Sequence, residues 1–219
     1  MLCYGVPMPR PRVYEPDRVL DAVESLAATY GSAAVTIRAI SAAVGVSNGA
    51  VYHTFGSRAG LIGQAWLRAG RRFLTEQTTS VDRALSAAGP QAAVEAVVAA
   101  AEVPVVFAEQ YPHSSQLLMS VRREELLSQD LPNEIATELR DLEQLLVGLM
   151  IRLAAGAWDR KDAAAVDTIT TCVVDLPTAI LLRRDRLGNT TAREHLRAAV
   201  RAVLAVGPPP HGKGKSRGN

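Results

Sequence analysis

The stretch SNGAVYHTFGSRAGL, Ser47 to Leu61, decides how this chain is read. It holds two helix-start residues, Ser47 and Ser57, whose hydroxyls can accept from the free N–H groups of a first helical turn. Val51 and Phe55 stand four apart and mark one inward face. The first helix otherwise offers Ser47, Asn48, Gly49, Tyr52 and His53. These carry short or flat donors and acceptors, wasted in an aliphatic core. The spacing predicts a helix of about two turns with a polar outer face.

Upstream, Thr36 is placed to cap a short helix that turns Ile37, Ile40 and Val44 inward, and Gly45 stops it at a turn that suits positive φ. Two short helices joined through Gly45-Val46 have the spacing of a helix-turn-helix, whose second helix enters the DNA major groove. A polar outer face there can meet base edges and phosphates. Further back, Val19, Leu20, Val23, Leu26, Ala27 and Tyr30 share one face of a helix that follows Pro16 and ends at Gly31. Downstream, Ser57 opens a fourth helix with Leu61, Ile62, Ala65, Trp66, Phe73 and Leu74 on its apolar side.

The remainder also has helical period. After a break near Gly89-Pro90, amphipathic segments cover roughly 90–109, 113–128, 133–156, 162–185 and 191–206, and Pro104 and Pro177 are predicted to kink two of them. No stretch alternates apolar and polar residues over a strand length. The predicted fold is all-α, with about nine helices: an N-terminal three-helix helix-turn-helix domain, then a C-terminal helical bundle. The expected divisions are a flexible leader 1–14, a DNA-binding head 15–60, a connecting fourth helix 57–80, a bundle 81–206 and a disordered basic tail 207–219.

The chain of 219 residues suits one large or two small domains. It is 48% apolar but only 5% aromatic, so the core is aliphatic. The net charge of +2 says little, but its distribution is uneven. Residues 1–80 hold 8 Lys/Arg against 5 Asp/Glu, residues 81–206 hold 13 against 17, and the tail adds three cations. A basic N-terminal third permits a polyanion partner. Lys161, Lys213 and Lys215 are the only lysines, but the arginine bias covers the whole chain and fits GC-rich codon usage better than a phosphate site. Cys3 falls in the leader, which argues against a disulfide to Cys172 and for a reducing cytosol. No signal pattern opens the chain, and runs such as LLVGLMI, 145–151, fall short of the roughly 20 residues a spanning helix needs. A soluble cytoplasmic protein is predicted, without a membrane partner. His53, His113, His195 and His211 are scattered, without ligand partners at i+3 or i+4. There is no nucleophile elbow, phosphate-cradling glycine loop or CxxC. No metal, cofactor or catalytic residue is predicted.

The stretch TIRAISAAVGVSNGAVYHTFGSRAGL, 36–61, resembles the DNA-binding domain of TetR-type transcriptional regulators. The resemblance lies in the joint occurrence of Gly45, Ser47, Gly49, Tyr52, Phe55, Ser57, Arg58 and Leu61. Ser41 stands where Ala is usual, Arg58 where Lys is common, and Ala59-Gly60 replaces an acidic pair without touching an expected contact. The resemblance implies that Thr36 caps its helix and touches a phosphate, and that Ser47, Asn48 and Gly49 lie near bases. It implies that Tyr52 bonds a phosphate, that His53 meets a phosphate or a base, and that Arg58 clamps a phosphate at a helix N-terminus. Arg38 either reaches phosphate or is an exposed helix charge. Arg10 and Arg12 form either a minor-groove arm or a merely solvated leader.

The same resemblance implies a homodimer on a palindromic double-stranded operator and a small effector in the bundle. The last two helices would then pair with their copies through Val166, Ile169, Val173, Ile180, Leu196, Val200 and Val203; the alternative is an ordinary intramolecular core. Candidate pocket residues are Phe107, Tyr111, His113, Met119 and Trp158, among mostly aliphatic walls that suit an apolar effector. The expected function is a sequence-specific regulator, a repressor released from its operator by that effector. The alternative is a regulator or architectural DNA-binding protein without an effector.

Overall fold

The computed structural model describes residues 16–87 and 89–210. Cys3, Arg10, Arg12, His211 and the tail lysines lie outside the described residues, as do the expected leader and most of the expected tail. The head comprises α1 (Pro16–Tyr30), a 3₁₀ turn (Ser32–Ala34), α2 (Ile37–Val44) and α3 (Asn48–Phe55). Then follow α4 (Arg58–Ser86), α5 (Ala92–Gln110), α6 (Pro112–Ser120), α7 (Arg123–Leu127), α8 (Asn133–Trp158), α9 (Ala163–Thr170) and α10 (Thr190–Val206). Among the described residues there is no strand, as expected of an all-α fold.

Three elements differ from the sequence reading. The fourth helix runs on to Ser86, because no Gly or Pro stands between Gly70 and Gly89-Pro90. The expected helix over 113–128 is divided into α6 and α7, which raises the helix count among the described residues to ten. Val121 is extended there (φ −122°, ψ 115°), and its buried side chain and its carbonyl, which accepts from the Trp66 indole N–H at 3.0 Å, hold the break. Finally, α9 continues as two π-helical turns, Thr171–Asp175 and Thr178–Leu182, on either side of Pro177. The wider turns accommodate a proline that has no N–H and would crowd an ordinary α-helical turn. Pro104 is handled otherwise. It lies inside α5 and leaves the Ala100 carbonyl without its usual donor, and the buried side chain of Gln77 on α4 donates to that carbonyl at 3.2 Å.

Two apolar clusters form the core. One joins α4, α5, α8, α9 and α10 through residues such as Val97, Ala101, Leu153, Ile169 and Leu196. The other fills the head with Val23, Ile40, Val51, Phe55 and Leu61, but it also takes in Leu117, Leu126, Ile135 and Leu139 from α6, α7 and α8. The head therefore shares its core with the start of the bundle. The helices α4 and α8 run side by side in the same direction, and glycines let them meet. A Cβ on Gly63 would stand 2.9 Å from Ile135 Cγ2, and one on Gly70 2.6 Å from Leu142 Cδ2.

The residues expected at a dimer seam require correction. Ile169, Val173, Leu196 and Val200 are buried within the single chain, in its own core, and Val166, Ile180 and Val203 are half-buried against the same cluster. The first four are thus core residues of the single chain, while Val166, Ile180 and Val203 keep part of their surface exposed. The segment Ala163–Leu182 is long and apolar enough by composition to cross a membrane, which the length of uninterrupted apolar runs does not bring out, yet it packs in the bundle with only 33% of its most apolar window buried. Val174 on its far side is exposed.

Candidate nucleic-acid interface

The helix-turn-helix is held by local chemistry at each junction. Thr36 Oγ1 accepts from the N–H of Ala39 at 3.1 Å, Ser47 Oγ from Ala50 at 3.1 Å, and Ser57 Oγ from Gly60 at 2.9 Å. Each replaces one partner that a helix start lacks. Gly45 ends α2 in the left-handed region (φ 72°, ψ 34°), with its N–H donating to the Ser41 carbonyl. From below, Ile40, Val51 and Phe55 lock α2 and α3 to the core, while Val44 and Val46 are half-buried beside them. Ser41 is buried at the crossing, and its hydroxyl has no hydrogen-bond partner.

What remains on α3 points away from the chain. Ser47, Asn48, Gly49, Tyr52 and His53 are all exposed and share one surface, and Tyr52 retains 62% of its accessible surface. Thr36 and Arg38 are exposed beside them on α2. Gly49 has no internal reason to be glycine, since a Cβ there would meet only Ser47 Oγ, at 3.9 Å. Glycine inside a helix costs about 1 kcal/mol relative to alanine. An approach from outside the chain gives that choice a physical reason. The charge pattern agrees: the sequence carries no carboxylate side chain between Glu24 and Glu76. Nothing on this surface repels a phosphate. That acid-free window was legible in the sequence as a gap in the Asp/Glu positions.

Arg58 stands differently from the expected phosphate clamp. Its Nε donates to the Val35 carbonyl at 2.6 Å and its Nη2 to the Ser32 carbonyl at 2.5 Å. The guanidinium thus staples the start of α4 to the loop that leads into α2. Gly60 also differs from expectation. A Cβ at Gly60 would collide with the Phe55 carbonyl oxygen and press on Pro132, so this glycine sets how closely α4 approaches the end of α3.

Beneath the head lies a buried polar junction that the sequence reading missed. Glu24 of α1 is 4% exposed. Its Oε1 accepts from Arg68 Nε and Nη2 at 3.0 and 2.8 Å, and its Oε2 accepts from the Ser114 hydroxyl at 2.6 Å. Arg72 reaches both Glu24 and Ser114, and its guanidinium lies 5.3 Å from the Tyr111 ring centroid. Arg68 also pairs with Asp17 and Asp21. Burial pulls the Arg68 pKa down, but hydrogen bonding and charge from Glu24 and Asp21 together outweigh it and raise the net value. The signal was a helical one: Asp17, Asp21 and Glu24 recur on one face of α1 at the spacing of helix neighbours.

The candidate pocket residues do not converge. Phe107 and Met119 line a cavity of about 390 Å³ between α4, α5, α6 and the end of the α9 segment. Tyr111 lines a separate cleft of about 580 Å³ between α1, α4 and α8. His113 is exposed at the start of α6, and Trp158 packs at the far end of the bundle beside Gly207. The Cys172 thiol is buried, and burial raises its pKa to about 11, which leaves it protonated and inert. Among the described residues no group of three or more His, Cys, Asp or Glu side chains gathers as a metal site.

Residues 19–65 match the family model described as bacterial regulatory proteins, tetR family. No curated protein matches the chain by sequence. Solved structures share its fold at low identity. The TetR family transcriptional regulator PfmR from Thermus thermophilus is 18% identical, with 86% of this chain and 98% of that one covered at a TM-score of 0.59. A bacterial regulatory protein in the tetR family from Rhodococcus RHA1 is 20% identical, with 89% and 97% covered at 0.60. The fatty acid degradation regulator FadR from Bacillus halodurans is 14% identical, with 87% and 98% covered at 0.61. Residues 19–65 thus carry a helix-turn-helix of the type that the tetR family model describes, and the whole chain shares the fold of such regulators.

Proposed function

We propose that the protein is a homodimeric repressor that binds a palindromic operator in the cytoplasm and leaves it when a small effector binds in the bundle. The observation that carries the DNA half of this reading is the outward face of α3. Ser47, Asn48, Gly49, Tyr52 and His53 are exposed, Gly49 is not required by the fold, and the sequence carries no acid between Glu24 and Glu76. Such a helix, paired with its copy, reads successive major grooves roughly 34–36 Å apart. The dimer half rests on the outer side of Ala163–Leu182, where Val174 is exposed and Val166 and Ile180 are only half-buried, and this side is assigned to a second copy.

Support for effector control comes from α6. Ser114 on this helix bonds Glu24 in the head, while the next residue, Ser115, lines the 390 Å³ cavity. A ligand that favours one position of α6 shifts the head only to the extent that it binds that position better. The test is selection of bound duplexes from a random pool, followed by gel shifts in rising salt with the selected and scrambled duplexes. The repressor reading expects a sequence preference of at least about a hundredfold that Tyr52→Ala reduces in a still-folded protein. Equal affinity for both duplexes at every salt concentration would instead establish a sequence-tolerant architectural protein.

A further inference from the structure

We infer that the effector is an amphiphilic carboxylate, seated in the α4–α5–α6 cavity with its head group between Arg122 and Arg183; this rests on the effector-release reading above. The inner wall of the cavity is apolar, with Phe107 buried and Leu118 and Leu182 half-buried. Arg122 and Arg183 line it from exposed positions at the α6–α7 break and at the end of the α9 segment. Neither guanidinium makes a side-chain hydrogen bond or ion pair among the described residues, and no carboxylate lines the cavity. Ser115 is 7% exposed, lines the same cavity, and its hydroxyl has no partner among the described residues. An apolar slot with two unspent cations and an unpaired hydroxyl on its wall matches a ligand with an apolar body and one anionic end.

The neighbouring cleft makes the contrast. It is larger, about 580 Å³, and holds three arginines, but each is already answered by a carboxylate. Arg68 pairs with Asp17, Asp21 and Glu24, Arg71 with Glu138 at 2.6 Å, and Arg72 with Glu24 at 3.5 Å. An anion entering that cleft would have to displace an internal partner. At the smaller cavity it displaces only water. A volume near 390 Å³ lies at the low end of ordinary ligand pockets, which sets the ligand at a medium-length chain or a substituted single ring. Guanidinium forks also prefer planar carboxylates, which they bind through two parallel hydrogen bonds.

The test is calorimetric titration of the full chain, without DNA, using hexanoate, decanoate and 4-tert-butylbenzoate, their neutral amides, and inorganic phosphate. At least one carboxylate is expected to bind, with its amide at least about tenfold weaker and phosphate undetectable. The double variant Arg122→Met, Arg183→Met changes two exposed side chains and is expected to fold, with the preference for carboxylate over amide lost. Ser115→Ala is expected to weaken the carboxylate several-fold. Amides that bind as well as acids, a preference that survives in the double variant, binding of phosphate alongside the carboxylates, or no binding of any carboxylate overturns the inference. None of those outcomes touches the repressor reading, whereas a carboxylate that binds but leaves the operator occupied overturns effector release and keeps the site.

Discussion

The head contains two polar regions built on opposite terms. On α3, Ser47, Asn48, Tyr52 and His53 face outward, with only the Ser47 cap oxygen used internally. Beneath it, Glu24, Arg68, Arg72 and Ser114 form a buried junction in which each side chain holds another. On the proposed reading, the first region is polar because DNA completes it. The second is polar because three helices must be held in one arrangement. Burying charge is favourable only when pairing and hydrogen bonding are nearly complete, so the two regions should respond in opposite ways to substitution: one through binding, the other through stability.

The largest effect should come from Glu24→Leu. It takes the one buried carboxylate from Arg68, which keeps only the exposed Asp17 and Asp21, and from Arg72, and removing one partner of a buried pair typically costs about 3–5 kcal/mol. Urea unfolding should show a fall of that order in the midpoint-derived stability. A loss under about 1 kcal/mol would mean that the junction is solvated and does not hold α1 to α6. Next comes Gly60→Ala, which forces a Cβ into the Phe55 carbonyl and should cost about 1–3 kcal/mol as an overpacking change. An unchanged melting temperature would show that α4 can draw back from α3, and that their spacing is not fixed at this glycine.

The head was legible from its sequence because its determinants are local. Thr36, Ser47 and Ser57 are caps three residues from their donors, Gly45 is a turn, and Val51 and Phe55 are one turn apart. The junction and the bundle were not, because their partners are remote. Glu24 and Ser114 lie 90 residues apart, and no short window shows that a proline at 104 is answered by Gln77. An apolar stripe tells that a helix face is covered but not by what. That is why Ile169 and Leu196 suggest a dimer seam in the sequence and are found in the chain's own core. The pocket candidates are divided for the same reason, with Phe107 and Met119 on one cavity and Tyr111 on another, since residue size and type do not say which helices will meet.

Arg58→Lys separates inside from outside at a single residue. As a phosphate clamp, Arg58 acts through its charge, which Lys keeps. As a staple, it acts through a fork that donates to Val35 and Ser32, and Lys cannot reproduce that geometry. The structure predicts a stability loss of about 1 kcal/mol for the lost hydrogen bonding. Its DNA affinity should fall no further than the loosened head explains. An unchanged melting temperature with weakened binding would return Arg58 to the outward set.

Gly49→Ala is the smallest change and the one that sets the two regions most sharply against each other. Within the chain an added methyl meets open space, and replacing glycine in a helix should raise stability by up to about 1 kcal/mol. If the backbone of α3 approaches the duplex at Gly49, as proposed, the same methyl obstructs it, so operator affinity should fall about tenfold while the melting temperature rises. A gain in both would place Gly49 away from the contact surface and move the reading face toward Tyr52 and His53. A loss in both would mean that the start of α3 is strained in a way its helical geometry does not show. Opposite signs from one methyl group are what a residue kept for an external partner should give, and no residue of the Glu24 junction can give them.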